Sequence, residues 1–161
     1  MRKSSPLLVA FLLLAACTPK TINSASYTLG GQRFRVPARA IYGMGTPSDR
    51  EGLDIEIGRR PFGTGEGVFL VSYEKPTESP EAAYRLSLLT YTYNAANSYT
   101  SVSYTLGLRG KLTRLPSGGF SGQFYGSLPA SATGHGNTVR GTFKVAAPLR
   151  KAAVTPRSNK H

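Results

Sequence analysis

Few residues in this 161-residue chain have the type and spacing that chemistry needs. The carboxylates Asp49, Glu51, Asp54 and Glu56 lie close together. Hard cations such as calcium prefer several carboxylate and carbonyl oxygens, but this spacing fits no EF-hand loop. Asp54 and Glu56 on one strand face would stand about 7 Å apart, within the about 5 to 9 Å of a glycosidase pair. Nothing around them marks a sugar cleft, and the alternation Leu53-Asp54-Ile55-Glu56-Ile57 already explains both acids as the solvent face of a strand. The two histidines are His135, in a Gly-His-Gly loop, and His161 at the last position, so no histidine zinc set forms. There is no Gly-x-Ser-x-Gly elbow. Gly63, Gly65 and Gly67 alternate, but their loop precedes an apolar strand and lacks the Lys-Ser/Thr of a phosphate cradle. The lone thiol, Cys17, is the remaining candidate.

Its surroundings give Cys17 a different use. Arg2 and Lys3 form a positive start, residues 7–14 an apolar run, and Ala15 and Ala16 two small residues before the cysteine. The run is shorter than the roughly 20 residues a spanning helix needs, and its flanks are those of an export signal. Leu14-Ala15-Ala16-Cys17 resembles the lipobox of bacterial lipoproteins. That resemblance implies diacylglycerol transfer to the Cys17 sulfur, cleavage between Ala16 and Cys17, and acylation of the new amino terminus. Thr18, rather than Asp, follows the cysteine, which resembles the outer-membrane sorting class in envelopes with two membranes. An acylated Cys17 leaves the exported part without any thiol, hence without disulfides or thiol catalysis.

Charge is the second global signal. The formal net charge is +12, and loss of Arg2 and Lys3 with the signal lowers it by two. All eight acids fall between Asp49 and Glu81. Beyond Glu81 the chain carries only basic charge. This asymmetry suits an anionic neighbour such as lipid headgroups, acidic polysaccharide or nucleic acid. Around Arg33 to Arg35 and Arg140 to Lys144, alternation turns Phe34 and Phe143 away from the cations and into the core. Stacking on nucleic acid needs rings exposed beside the cations, so sequence-specific nucleic-acid binding is not expected.

The elements that would carry these residues read as strands. Nine Tyr and seven Phe without Trp, with abundant Gly, Ser and Thr, favour β structure. Gly30-Gly31 predicts a tight hairpin, and Pro37 limits the second strand as a central one. Residues 67–73 are apolar on both faces, as the most central strand would be. Ser79-Pro80-Glu81 predicts a helical segment near 80–86, followed by a strand near 87–94. The clearest alternation runs over 101–112, with Gly110 marking a bend. Two later strands share a Gly-x-Phe step, Gly122-Gln123-Phe124 and Gly141-Thr142-Phe143. An inward glycine beside an inward ring lets the ring lie over the neighbouring backbone and favours a curled sheet.

The expected organisation is a signal peptide over 1–16, an acylated cysteine and tether over 17–26, one β-domain over 27–147 and a basic, disordered tail over 148–161. The fold class is all-β: an antiparallel meander sandwich or small barrel of about seven to eight strands, with at most one short helix. The polar outward faces argue against a transmembrane barrel. The expected function is a non-enzymatic envelope lipoprotein, lipid-anchored, in the outer membrane where there are two. Its partners are the membrane, through the anchor, and an anionic envelope polymer, lipid or protein. The candidate basic surface is Arg33, Arg35, Arg109, Lys111, Arg140 and Lys144. No catalytic residue, metal or cofactor is assigned. The alternative is a calycin-like barrel carrying a small apolar ligand over its inward glycines.

Overall fold

The computed structural model describes residues 22–43, 48–61, 63–64, 66–95, 98–129 and 137–148. Cys17 with its lipobox, His135, His161 and the tail beyond Pro148 lie outside them. Nine antiparallel strands form one sheet: β1 Ser24–Leu29, β2 Gln32–Tyr42, β3 Arg50–Ile57, β4 Gly67–Pro76, β5 Arg85–Ala95, β6 Ser98–Ser103, β7 Leu106–Arg114, β8 Phe120–Ser127 and β9 Thr138–Val145. Their order is β6-β5-β4-β3-β2-β1-β9-β8-β7. The chain is all-β, with no helix among the described residues.

The sheet rolls up. Phe69 on β4 and Phe124 on β8 stand five strands apart in the order, about 24 Å on a flat sheet. Their ring centroids are 6.3 Å apart. The Tyr73 hydroxyl on β4 donates to the Gln123 carbonyl on β8 at 2.8 Å. The bend falls in β2, whose residues Gln32 to Pro37 pair with β1 while Ala38 to Tyr42 pair with β3. Pro37 sits at this handover, where its missing N–H breaks no ladder. β2 is therefore the middle strand of the order, contrary to the limit that Pro37 set from sequence. β4, expected at the centre, is third from one edge. Val68 is fully buried on its second face because the Gly58 backbone closes over it.

The far side closes by packing. The Tyr104 N–H donates to the Leu89 carbonyl at 2.8 Å, and β7 lies against β5 where Gly110 gives it room. A Cβ on Gly110 would stand 3.0 Å from the Leu86 Cβ. The alternation over 101–112 is thus two strands, not one. The chain leaves β6, buries Tyr104, and begins β7 at the opposite edge of the order. Its irregularity lies between Leu106 and Arg109, with Gly107 at φ +60°, rather than at Gly110.

Two further expectations change. No helix forms over 80–86: residues 79–82 make a turn, in which the Ala82 N–H reaches the Ser79 carbonyl at 2.9 Å, and Arg85 already enters β5. Proline suits the second position of such a turn as well as a helix start, and a segment this short cannot repay helix nucleation. At the other end, β1 begins at Ser24 with Ala25 buried, so residues 24–26 belong to the domain and not to a tether. The Gly30-Gly31 hairpin forms as its composition predicts, with φ +56° and +82°.

Phe69 is the hub of the core, against Tyr27 at 5.0 Å, Tyr91 at 4.6 Å and Tyr104 at 6.1 Å between centroids. The Gly-x-Phe steps interlock. Gly122 pairs with Phe143 and Phe124 with Gly141 across the β8–β9 ladder. Each ring lies over the opposite glycine, where a Cβ would come within 2.5 Å of Phe143 or 2.4 Å of Phe124.

Candidate functional site

Alternation sends one side chain in and the next out along each strand. With Phe124 buried, Gln123 and Tyr125 face outward; with Val139 and Phe143 buried, Arg140, Thr142 and Lys144 face outward. Arg109 and Lys111 on β7, Ser26 and Thr28 on β1, and Arg33 and Arg35 on β2 do the same. The ladders then align these residues in rows across five strands. The first row is Arg109, Tyr125, Arg140, Thr28 and Arg33. The second is Lys111, Gln123, Thr142, Ser26 and Arg35. Lys144 falls in a third, between Ser121 and Ser24.

All six residues of the sequence-derived basic surface therefore share one outer face. Arg33, Arg109, Lys111 and Arg140 line an open groove of about 900 Å³. Arg35 and Lys144 flank it on the same face. The groove's hydroxyl and amide lining comes from Ser26, Thr28, Gln123, Tyr125 and Thr142. Sequence reading missed these five. The alternation of β8 could have placed Gln123 and Tyr125 outward, but only the pairing of β1 with β9 brings Ser26 and Thr28 alongside. Tyr125 is the aromatic ring of this face, and the Arg109 guanidinium lies over it, 4.9 Å from its centroid.

The electrostatics divide the molecule. Every side-chain carboxylate lies among the described residues, and none is on β1, β2, β7, β8 or β9. Away from this face four cations are paired, and Arg59, Arg85 and Arg114 are in no ion pair with a described residue. Glu56 binds Arg39 at 2.7 Å and Arg60 at 3.2 Å, Glu74 binds Arg50 at 3.2 Å, and Glu51 binds Lys75 at 3.1 Å. Arg33, Arg109, Lys111, Arg140 and Lys144 form no ion pair with a described residue.

The acids resolve differently from their sequence reading. Asp54 and Glu56 are on the outward side of β3 but buried, 7% and 6% exposed, rather than facing solvent. Two arginines cover Glu56, which is why burial there is tolerable. Among the described residues no group of three or more His, Cys, Asp or Glu converges as a metal site. The Glu66 carboxylate accepts from the Gly63 N–H at 3.0 Å, so it closes its own glycine turn.

A second recess, about 370 Å³, opens at one end of the rolled sheet. Here Glu51 accepts a very short hydrogen bond from the Tyr84 hydroxyl. Lys75 pairs with Glu51, lies over the Tyr84 ring at 5.2 Å and donates to the Pro80 carbonyl at 3.1 Å. The Tyr84 hydroxyl, and then Lys75, hold the Glu51 carboxyl below its usual range. These groups satisfy one another and fasten the turn before β5 onto β3 and β4.

No protein family, curated protein or solved structure matches the chain.

Proposed function

We propose that this chain is a lipid-anchored envelope protein whose β-domain binds an anionic partner, without catalysis, through the outer face of β2, β1, β9, β8 and β7. The observation that carries the reading is the separation of charge. Arg39, Arg50, Arg60 and Lys75 have carboxylate partners, whereas the cations lining the groove have none. Five cations held on one rigid face without counter-charge repel one another, and an anionic ligand relieves that repulsion. The lipobox at Cys17 supplies the address. Two or more acyl chains, each CH₂ worth about 0.8 kcal/mol, hold a protein firmly at a membrane. The interior supports a binding surface better than a carrier, because Phe143 and Phe124 already occupy the space over Gly122 and Gly141.

The address is tested by Cys17→Ser, which is expected to take up no labelled fatty acid and to leave the membrane fraction. A Cys17→Ser protein that stays membrane-bound overturns the anchor. The surface is tested on an anionic matrix with a variant carrying Arg109→Gln, Lys111→Gln, Arg140→Gln and Lys144→Gln. The parent is expected to be retained in a salt-dependent way and the variant to elute at clearly lower salt. Equal retention overturns the basic face.

A further inference from the structure

The order of side chains along the groove narrows the partner, given the polyanion reading above. In the first row a cation stands at every second strand: Arg109, Arg140 and Arg33, with Tyr125 and Thr28 between them. Neighbouring strands are about 4.8 Å apart, which sets the cations about 9–10 Å from one another. The gaps between them are filled by hydroxyl-bearing neutral groups. In the second row Lys111 and Arg35 lie at the two ends, and Gln123, Thr142 and Ser26 form a neutral floor.

We infer that the groove binds an acidic polysaccharide in which charged and neutral sugars alternate. Such a chain presents an acid, then a hydroxyl-rich neutral ring, then an acid. The acids meet Arg109, Arg140 and Arg33, while Gln123 and Thr142 hydrogen-bond the sugar hydroxyls between. Arg109 is held over the Tyr125 ring, so its planar, multi-donor guanidinium is already placed at the groove for a carboxylate or sulfate. A polyanion charged at every unit would set half of its anions opposite neutral groups. A nucleic-acid strand would need a free ring to stack on, and Arg109 covers the ring of Tyr125.

The test uses the full chain in detergent, with short hyaluronan oligomers as the alternating probe. Neutral dextran, inorganic polyphosphate and phosphatidylglycerol vesicles are the comparisons. Hyaluronan is expected to bind and dextran not to. A Gln123→Leu/Thr142→Val variant keeps every charge and changes only exposed side chains. It is expected to lose about tenfold in hyaluronan affinity, two hydrogen bonds' worth, and to bind polyphosphate within about twofold of the parent. A double variant that binds hyaluronan like the parent overturns the glycan assignment. So does binding of polyphosphate or vesicles without hyaluronan, while leaving the basic face as a polyanion site. Binding of none of the three anionic probes overturns the polyanion reading itself.

Discussion

Gly122 and Gly141 carry more of this fold than their size suggests. Each is a place where a ring from the facing strand rests on bare backbone. Gly122→Ala would drive a methyl into the Phe143 ring at 2.5 Å and the Lys111 carbonyl at 2.7 Å. Overpacking of this kind costs about 2–3 kcal/mol, read as a lower urea midpoint. Adding Phe143→Leu is expected to recover part of the loss, giving a non-additive pair. Gly31→Ala is the contrast: no atom lies within 4 Å, but φ is +82°, so only backbone strain of about 1 kcal/mol is expected. The buried tyrosines set the alkaline limit. Burial, with neighbouring Tyr hydroxyls, pushes Tyr27 and Tyr104 up to about 12 from an ordinary 10.0, and Tyr73 and Tyr91 are raised as well. The fold thus holds protons that the unfolded chain gives up near pH 10. Stability is full below that pH and falls as pH rises toward 12. The urea midpoint across this range should fall in step with the appearance of tyrosinate absorbance. The Gly-x-Phe steps were legible in sequence because they depend on alternation alone. Their reciprocal fit was not, because it depends on the β8–β9 register.

At the scale of elements, the sequence was read well where period decided and poorly where the chain turned. β8 and β9 follow directly from alternation. The run over 101–112 alternates without interruption, yet Tyr104 is more stable buried at the seam than continuing a strand. Nothing local distinguishes those two outcomes. The segment at 80–86 had true helix-start chemistry, but the same Ser-Pro-Glu also makes a turn, and the leucines of β5 settled the matter by packing. Asn23 was silent in sequence and is a clamp in the fold. Its N–H reaches the Lys144 carbonyl at 2.8 Å, its carbonyl accepts from Ala38 at 2.9 Å, and its Oδ1 accepts from the Ala146 N–H at 2.8 Å. It does so at φ +68°, a conformation asparagine tolerates and alanine resists. Asn23→Ala is expected to cost about 2–3 kcal/mol. Asn23→Gly, which keeps the backbone and loses the side-chain bond, should cost about 1 kcal/mol. Urea unfolding checks both, and faster amide exchange at Ala146 would report the lost bond.

At the scale of the molecule, composition announced the charge asymmetry, and topology turned it into a surface. The six cations lie on three separate strands, β2, β7 and β9, and β1, which carries none of them, is the strand that joins their two groups. That joining was unreadable from sequence, because it rests on the long-range pairing of β1 with β9. A face with so much uncompensated charge strains the compact state at low ionic strength. The melting temperature is expected to rise when salt is added from a few millimolar upward. The Arg109→Gln, Lys111→Gln, Arg140→Gln, Lys144→Gln variant should show a flatter dependence by the same thermal scan. An unchanged slope would place the repulsion elsewhere.

The position of β1 has a mechanical consequence. It is the first strand after the N-terminal segment, and six residue pairs hold it on each side, to β2 and to β9. A pull transmitted through residue 22 while the neighbouring strands are held draws β1 lengthwise and loads both ladders in shear. Bonds loaded together resist force far better than bonds peeled one at a time. Forced opening is governed by the unfolding rate, so a domain hung from this strand is built to stay folded under tension.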